Sequence, residues 1–462
     1  MNGQRMTLLA ACALWVAGLA AAPVEAAGAG AEPNRPTRPR TVARLTRGAL
    51  LQSVDKAKKG GRSELQWITK YLCDGRHAPP KELLPEFRGF LKDEDPEVQM
   101  LGAQGLGAIK DPNSRADLVE YIESKDLHNW ADKHMPAKEQ GNRGVLLVLE
   151  WQAAMQAILA LGETGDKSVI PLLESLRSVK GLGFESGPGP VEQALAKLGP
   201  EGIHSLASLG PDADRDQISQ AGRAMRLIRD PGMIPTLIET VKDAKVAEPI
   251  RAAAVDAIGD MNNVDEVLPF LMATMRQADY PQYVRSSAAL ALARSRRPAA
   301  EKALQDLLDQ PNCDIRVECL QGLASLDPNR YLPVQLKIVL DKSAPVDERE
   351  NLAHRLEYCS RERIMPHVEL IRQGLQAVES DGTPADSIRI SVWRALNKAT
   401  GEKPTLELRD PRSARLALSD EIEQRVLAQN HQAGPSEMAA AVEREVNAFV
   451  VQWQPEKASA KP

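Results

Sequence analysis

Residues 95–122 read DPEVQMLGAQGLGAIKDPNSRADLVEYI, and the spacing of their apolar side chains decides the fold. Asp95 is placed to cap a helix whose first turn tolerates Pro96, because proline lacks only an N–H that would have no partner there. Val98, Leu101, Gly102, Gly105, Leu106 and Ile109 recur at intervals of three and four, which sets them on one helix face. The glycines stand where a neighbouring helix would approach closely. Gly107 ends the apolar run, Asp111-Pro112 resists continuation of the helix, and Leu118, Val119 and Ile122 open a second amphipathic stretch. The pattern predicts a helix, a tight turn and a second helix. One such pair cannot bury both of its apolar faces and needs neighbours.

Those neighbours are internal repeats. With Leu106-Gly107 as the mark, the pattern returns at Leu161-Gly162, Leu198-Gly199 and Ile258-Gly259, then more weakly at Leu292-Ala293 and Leu323-Ala324. Most marks lie about 30 to 40 residues apart, the period of a two-helix solenoid unit. The longer steps hold insertions or a degenerate copy, which fits between Asp214 and Val241. Seven residues before the marks lie Gln99, Ala154, Val191, Arg251, Arg285 and Arg316, and the phase continues through Arg349 and Arg389.

The segments DPEVQMLGAQGLGAIKDP, EPIRAAAVDAIGDM and YVRSSAALALA resemble HEAT repeats, in the bacterial form related to phycobilin lyase repeats. LGPEGIHSLASL and RDPGMIPTLIETV resemble the second halves of such units. The resemblance runs from about Asp95 to Ala399 and implies an all-α fold, a right-handed α-solenoid of stacked helix-turn-helix repeats. It implies no particular activity, because this architecture carries scaffolds, adaptors and a few enzymes. It also implies a ladder in which Arg251, Arg285, Arg316 and Arg349 meet turn aspartates of adjacent units, with Asp230, Asp260 and Asp327 as the candidates. On that reading the arginines are structural rather than a cationic groove.

At the start of the chain, Arg5 precedes the apolar run Met6 to Ala22 and the small-residue sequence VEAA, which together read as an export signal cleaved after Ala26. The expected product is periplasmic or secreted. The run is short, alanine-rich and closed by Pro23 and Glu25, so no transmembrane segment is expected in the mature chain. Leu9-Ala10-Ala11-Cys12 imitates a lipoprotein box, but most of the apolar residues follow the cysteine, which favours ordinary cleavage. Residues 27–40 form a Pro/Arg-rich linker containing PNRPTRPR. Together with Arg44, Arg47, Lys56, Lys58 and Lys59 it makes a basic arm, read as a solvated tether with at most weak contact to an anionic envelope surface.

The expected organisation continues with capping helices in 41–94 (41–58, 63–72 and 81–91) and the repeat solenoid in 95–404. Two further capping helices (412–429 and 436–453) are expected in 405–453, before a frayed tail at 454–462. Composition agrees with one elongated helical array: aromatic residues make up only 4% of the 462 residues, and no sustained alternation marks a strand. The formal net charge of −5, spread over interspersed pairs, supplies no basic field for duplex nucleic acid. The local basic run RSRRPAAEK, residues 294–302, reads as a solvated turn between helices.

Chemistry-bearing motifs are scarce. Cys73, Cys313, Cys319 and Cys359 follow the expected cleavage point, with no Cys-x-x-Cys and no persuasive disulfide spacing. A six-residue separation on one helix would turn Cys313 and Cys319 to nearly opposite sides, leaving Cys319 as a buried free thiol at a small-residue position in phase with Ala254 and Ala288. Some relatives of this repeat class are iron-dependent hydroxylases that bind metal through paired His-Glu dipeptides. This chain has none, and His77, His204, His354, His367 and His431 stand apart. No cofactor is therefore expected.

The insertion at residues 124–144 carries Asp126, His128, Trp130, Asp132 and His134, and reads as a decorated loop rather than a metal site. Residues 181–190, GLGFESGPGP, follow no strand, so phosphate binding is unsupported. The expected function is a non-catalytic exported scaffold or adaptor that binds a protein or envelope partner on a curved helical face. The alternative is a lyase- or metal-dependent hydroxylase-like enzyme of the same architecture.

Overall fold

A computed structural model describes residues 45–59, 63–73, 78–129, 142–179, 182, 187–310, 313–377, 383–401 and 444. All regular structure among them is helical. The chain divides into two compact units, Met1–Val264 and Asp265–Pro462.

The first unit opens with α1 (Arg47–Lys58), α2 (Ser63–Cys73) and α3 (Leu84–Phe90), the last preceded by a 3-10 turn at Lys81–Leu83. Thr46 begins α1 by accepting from the Ala49 N–H, so this helix starts later than the expected position 41, whose residues lie outside those described. Then come α4 (Pro96–Ile109) and α5 (Arg115–Ser124), the helix pair foreseen from the opening stretch. The Asp95 carboxylate accepts from the Glu97 N–H at 2.9 Å, Pro96 occupies the first turn, and Lys110 ends α4 in the left-handed conformation at φ 56°. Phe87, fully buried, lies against Gly105, where a Cβ would fall 2.2 Å from its ring. The small residues of α4 therefore admit the helix in front of it.

The unit continues through α6 (Asn142–Glu163), α7 (Ile170–Leu176), α8 (Pro190–Ala196), α9 (Gly199–Ala207), α10 (Arg215–Met225), α11 (Ile234–Lys242) and α12 (Glu248–Asp260). The first helices of each pair, α4, α6, α8, α10 and α12, pack one on the next in a row. The second helices α5, α7, α9 and α11 pack on the first helix of the following pair. This is the solenoid arrangement, and α10 with α11 is the degenerate copy located between Asp214 and Val241.

One turn device recurs. Asp111, Asp166 and Asp230 each accept a backbone N–H two residues on, at 3.2, 2.9 and 2.9 Å, and so start the second helix of their repeats. Each such cap stabilises a helix start by about 1 kcal/mol. Ion pairs then link successive repeats: Arg88 to Asp117, Arg115 to Asp166, and Lys167 to Glu201. The Glu163 carboxylate meets both Lys110 and Lys197. These pairs are at least partly exposed, and their main effect is on register rather than stability.

The Leu198-Gly199 mark belongs elsewhere than its counterparts. The helix α8 stops at Ala196, and Gly199 adopts φ 72° in the junction to α9, so this Leu-Gly step forms a turn. Gly107 and Gly162 face Ala160 and Ala194 of the following helix, and Ala196 stands in α8 where Gly162 stands in α6. The copy is three residues out of the assigned register because the Leu198-Gly199 step imitates the mark in sequence while forming the turn.

The second unit holds α13 (Val267–Arg276), α14 (Gln282–Arg294), α15 (Pro298–Leu308), α16 (Arg316–Leu326), α17 (Pro328–Leu340), α18 (Val346–Glu357), α19 (Arg361–Ile364), α20 (Val368–Ala377) and α21 (Thr383–Thr400). Here α14, α16, α18 and α21 form the corresponding row. Asp327 caps α17 by accepting from the Arg330 N–H at 3.2 Å. The expected C-terminal capping helices at 412–429 and 436–453 lie outside the described residues, apart from Arg444.

Candidate functional site

The basic run at residues 294–302 is a turn between helices, and it borders a cleft in the second unit. Ser295 closes α14 by donating its hydroxyl to the Leu292 carbonyl at 2.6 Å. Arg296 then takes a left-handed conformation, φ 52°, and Arg297 stands at the N-cap of α15 with no side-chain cap hydrogen bond. A left-handed turn at a non-glycine residue costs on the order of 1 kcal/mol, so the arginine is held there against a local preference.

The cleft has a volume of about 310 Å3 and is bordered by Arg296, Arg297, Glu301, Ser325 and Arg363. Ser325 ends α16 by donating to the Gly322 carbonyl at 2.7 Å, and Arg363 comes from the short helix α19. Three guanidinium groups therefore border one opening, with Glu301 as the carboxylate among its lining residues. That carboxylate already accepts from Arg330 Nη1 and from the Tyr331 hydroxyl, both at 3.3 Å. The Arg330 guanidinium lies 4.9 Å from the Tyr331 ring centre, and burial raises the Tyr331 phenol above its ordinary pKa. The site can hold an anionic group by paired N–H donation. The sequence reading missed it because Arg363 is contributed by a helix far along the chain from Arg296.

The in-phase arginines are placed differently from expectation. Arg251 is buried and donates Nε to the Val241 carbonyl at 2.9 Å, Arg349 does the same to Val339 at 2.9 Å, and Arg285 to Met275 at 3.2 Å. Each carbonyl lies in the last turn of the preceding second helix, where backbone oxygens lack an intrahelical partner. Arg285 also reaches an aspartate, Asp314 at 2.7 Å. Of the named turn aspartates, Asp230 and Asp327 cap helices, and Asp260 pairs with Arg229. Arg316 departs from the set because α16 begins at that residue, which sends its side chain outward to Glu348 at 3.4 Å.

Of the insertion at 124–144, Asp126 has φ 46° and His128 is exposed in a 3-10 turn at Leu127–Asn129; Trp130, Asp132 and His134 lie outside the described residues. Of residues 181–190, Leu182 is buried and Pro190 starts α8. His204 stands 3.8 Å from Glu239 and His354 3.7 Å from Glu357. Among the described residues no group of three or more His, Cys, Asp or Glu is placed to hold one metal ion. No described helix is long and apolar enough to cross a membrane.

Cys313 and Cys319, expected on opposite sides of one helix, are both free thiols. Cys313 precedes α16 instead of lying within it, so the helical rotation expected between the two does not apply. Cys319 is fully buried as expected, and Cys359 bonds the Arg355 carbonyl. The Cys73 side chain lies outside the described residues.

Comparison with known proteins finds a match to HEAT repeats over residues 204–293. No curated protein matches the chain. Among solved structures, human deoxyhypusine hydroxylase in complex with glycerol is similar at 18% identity, covering 60% of this chain and 98% of that one, with a TM-score of 0.22. An overlap of that size carries no argument about activity.

Proposed function

We propose that this protein is an exported, non-catalytic HEAT-repeat scaffold that engages a protein partner, and that the cleft beside Arg296, Arg297 and Arg363 receives an acidic segment of that partner. The carrying observation is that Arg296, Arg297 and Arg363 border one opening whose lining carboxylate, Glu301, is already engaged by Arg330 and Tyr331. Planar guanidinium groups take carboxylates in a two-point geometry that lysine does not reproduce. The scaffold reading is supported by the match to HEAT repeats, as an architectural analogy. Export rests on the leader-like residues 1–26, and the periplasmic or secreted location follows from it.

A labelled Asp/Glu-rich peptide titrated against the full chain tests the cleft. Reversing Arg296 and Arg363 to Glu should weaken binding by about tenfold or more, equivalent to at least about 1.4 kcal/mol. Equal affinity in both proteins would remove the cleft from the interface. Crosslinking in the native envelope should capture a stoichiometric protein partner, whereas tightly bound metal or chromophore in the purified chain would favour an enzyme.

A further inference from the structure

The arginine cleft has an apolar lining as well as a basic one. Pro298, Leu326 and Pro328 border it together with Arg296, Arg297 and Arg363. The two prolines open α15 and α17, and Leu326 is the last residue of α16, so three consecutive helices begin or end at this wall. Leu326 is half-buried and Pro298 exposed, which leaves hydrocarbon accessible inside an opening edged by guanidinium groups. A cleft of about 310 Å3 lies at the small end of ligand pockets, so its occupant is a compact group rather than a length of folded chain.

We infer, on the reading that this cleft receives the partner, that the group it takes is the partner's chain terminus. A free α-carboxylate lies on the guanidinium groups, and a terminal aliphatic side chain lies against Pro298, Leu326 and Pro328.

The last residue of a polypeptide carries both groups on one Cα, so both enter one small opening together. An internal aspartate or glutamate spends its single side chain on the carboxylate. In an extended segment its neighbours then point to the opposite face, and the nearest side chain on the same face is two residues, roughly 7 Å, further along. The apolar wall would stay wet. A leucine-sized side chain gains by leaving water for that wall, and each carboxylate oxygen gains a charge-assisted hydrogen bond, so a terminus uses the whole lining. It also enters with one negative charge. The Glu301 carboxylate stands on the same lining, so a run of acids would bring further carboxylates up against it.

The probe is a fluorescein-labelled glycine-serine heptapeptide ending in leucine with a free carboxylate, read by anisotropy against the full chain. Its C-terminal amide should bind at least about tenfold more weakly, because the charge is gone and an N–H donor faces the arginines. Replacing the terminal leucine by serine should weaken binding about fivefold, through lost burial. Arg363→Gln should weaken the free acid and leave the amide unchanged. Leu326→Ser and Pro298→Ser should each shrink the preference for leucine over serine, and Pro298, exposed at a helix start, is a position where serine leaves the fold intact. Circular dichroism checks all three variants.

An amidated Asp/Glu-rich peptide run in parallel separates this inference from the reading it rests on. If that peptide binds through Arg363 while the leucine acid binds no better than its amide, the terminus is overturned and the acidic segment stands. If leucine and serine ends bind alike, or the preference survives undiminished in both apolar-wall variants, the inference is overturned. If neither peptide binds, it falls together with the acidic-segment reading.

Discussion

A Cβ placed on Gly202 would lie 1.9 Å from the carbonyl oxygen of Leu195. Gly202 is early in α9 and Leu195 near the end of α8, so the two helices of this pair meet backbone to backbone. Successive repeats touch in the same way at Gly162, where an added Cβ would lie 2.5 Å from the Ala194 Cα. Neither obstacle is a side-chain tip that can rotate away. Gly202→Ala and Gly162→Ala should each destabilise the first unit by about 2 to 3 kcal/mol, the range of overpacked cores. Gly48, with nothing within 4 Å, provides the control, and Gly48→Ala should be neutral or slightly stabilising. Urea midpoints that are the same for the glycine variants and the control would contradict the close approach.

The buried arginines should separate from the exposed one. Arg251→Ala removes a donor from the Val241 carbonyl and should cost about 2 to 3 kcal/mol, as expected for a charged hydrogen bond lost in the interior. Arg316→Ala breaks a pair whose arginine side chain is 52% exposed and should cost less than about 1 kcal/mol. Arg251→Lys should recover little, since ammonium lacks the guanidinium geometry. A comparison by chemical denaturation decides the matter, and equal losses at the two sites would show that the carbonyl contact is dispensable.

Glu192 gives the first unit a distinctive acid response. It is buried in α8, and burial raises its carboxyl above the ordinary value of 4.5, opposed by the Arg177 charge. The native state therefore holds this proton more tightly than the unfolded chain. The penalty is absent below the unfolded pKa and grows as pH rises through the folded one. Glu192→Gln should match the parent in acid and gain relative stability from about pH 4.5 upward. Stability curves that stay parallel across that range would show that Glu192 titrates as an exposed carboxylate.

Arg296 couples backbone strain to the cleft. Glycine adopts φ 52° without the steric cost an arginine bears, so Arg296→Gly should leave stability unchanged or raise it by up to about 1 kcal/mol. The same variant should bind an acidic peptide more weakly. Calorimetry and peptide titration on one preparation test both halves. Lower stability with full binding would reverse the assignment of this residue from ligand contact to fold.

The repeat pair at residues 95–122 was readable because apolar periodicity and the Asp-Pro turn act within a few residues of each other. The same local signals located α10 and α11 inside a degenerate copy. At Leu198-Gly199 they misled, because a glycine that serves a turn is indistinguishable in composition from one that admits a helix. Arg251 and Arg349 were expected to meet turn aspartates, whereas each donates to a backbone carbonyl, which carries no residue-type signal. The cleft escaped notice for another reason: Arg296 and Arg363 become neighbours only through stacking, and each alone resembles any solvated turn. The position of Cys313 outside a helix likewise depended on where α16 starts, a boundary of two or three residues that propensity does not resolve.

Glu163 ends α6 with one carboxylate facing two cations, Lys110 at the end of α4 and Lys197 at the end of α8. Burial and the neighbouring Lys110 charge both depress the Lys197 pKa, so the two ammonium groups sense each other across the acid that joins them. Detaching either lysine leaves Glu163 the other, and also relieves the mutual repulsion of the cations. The first detachment is thus cushioned and the second is not. Three consecutive repeats share this one junction, so a charge lost at Glu163 sets two like charges against each other and loosens two seams together, turning what would be independent fraying steps into a correlated one.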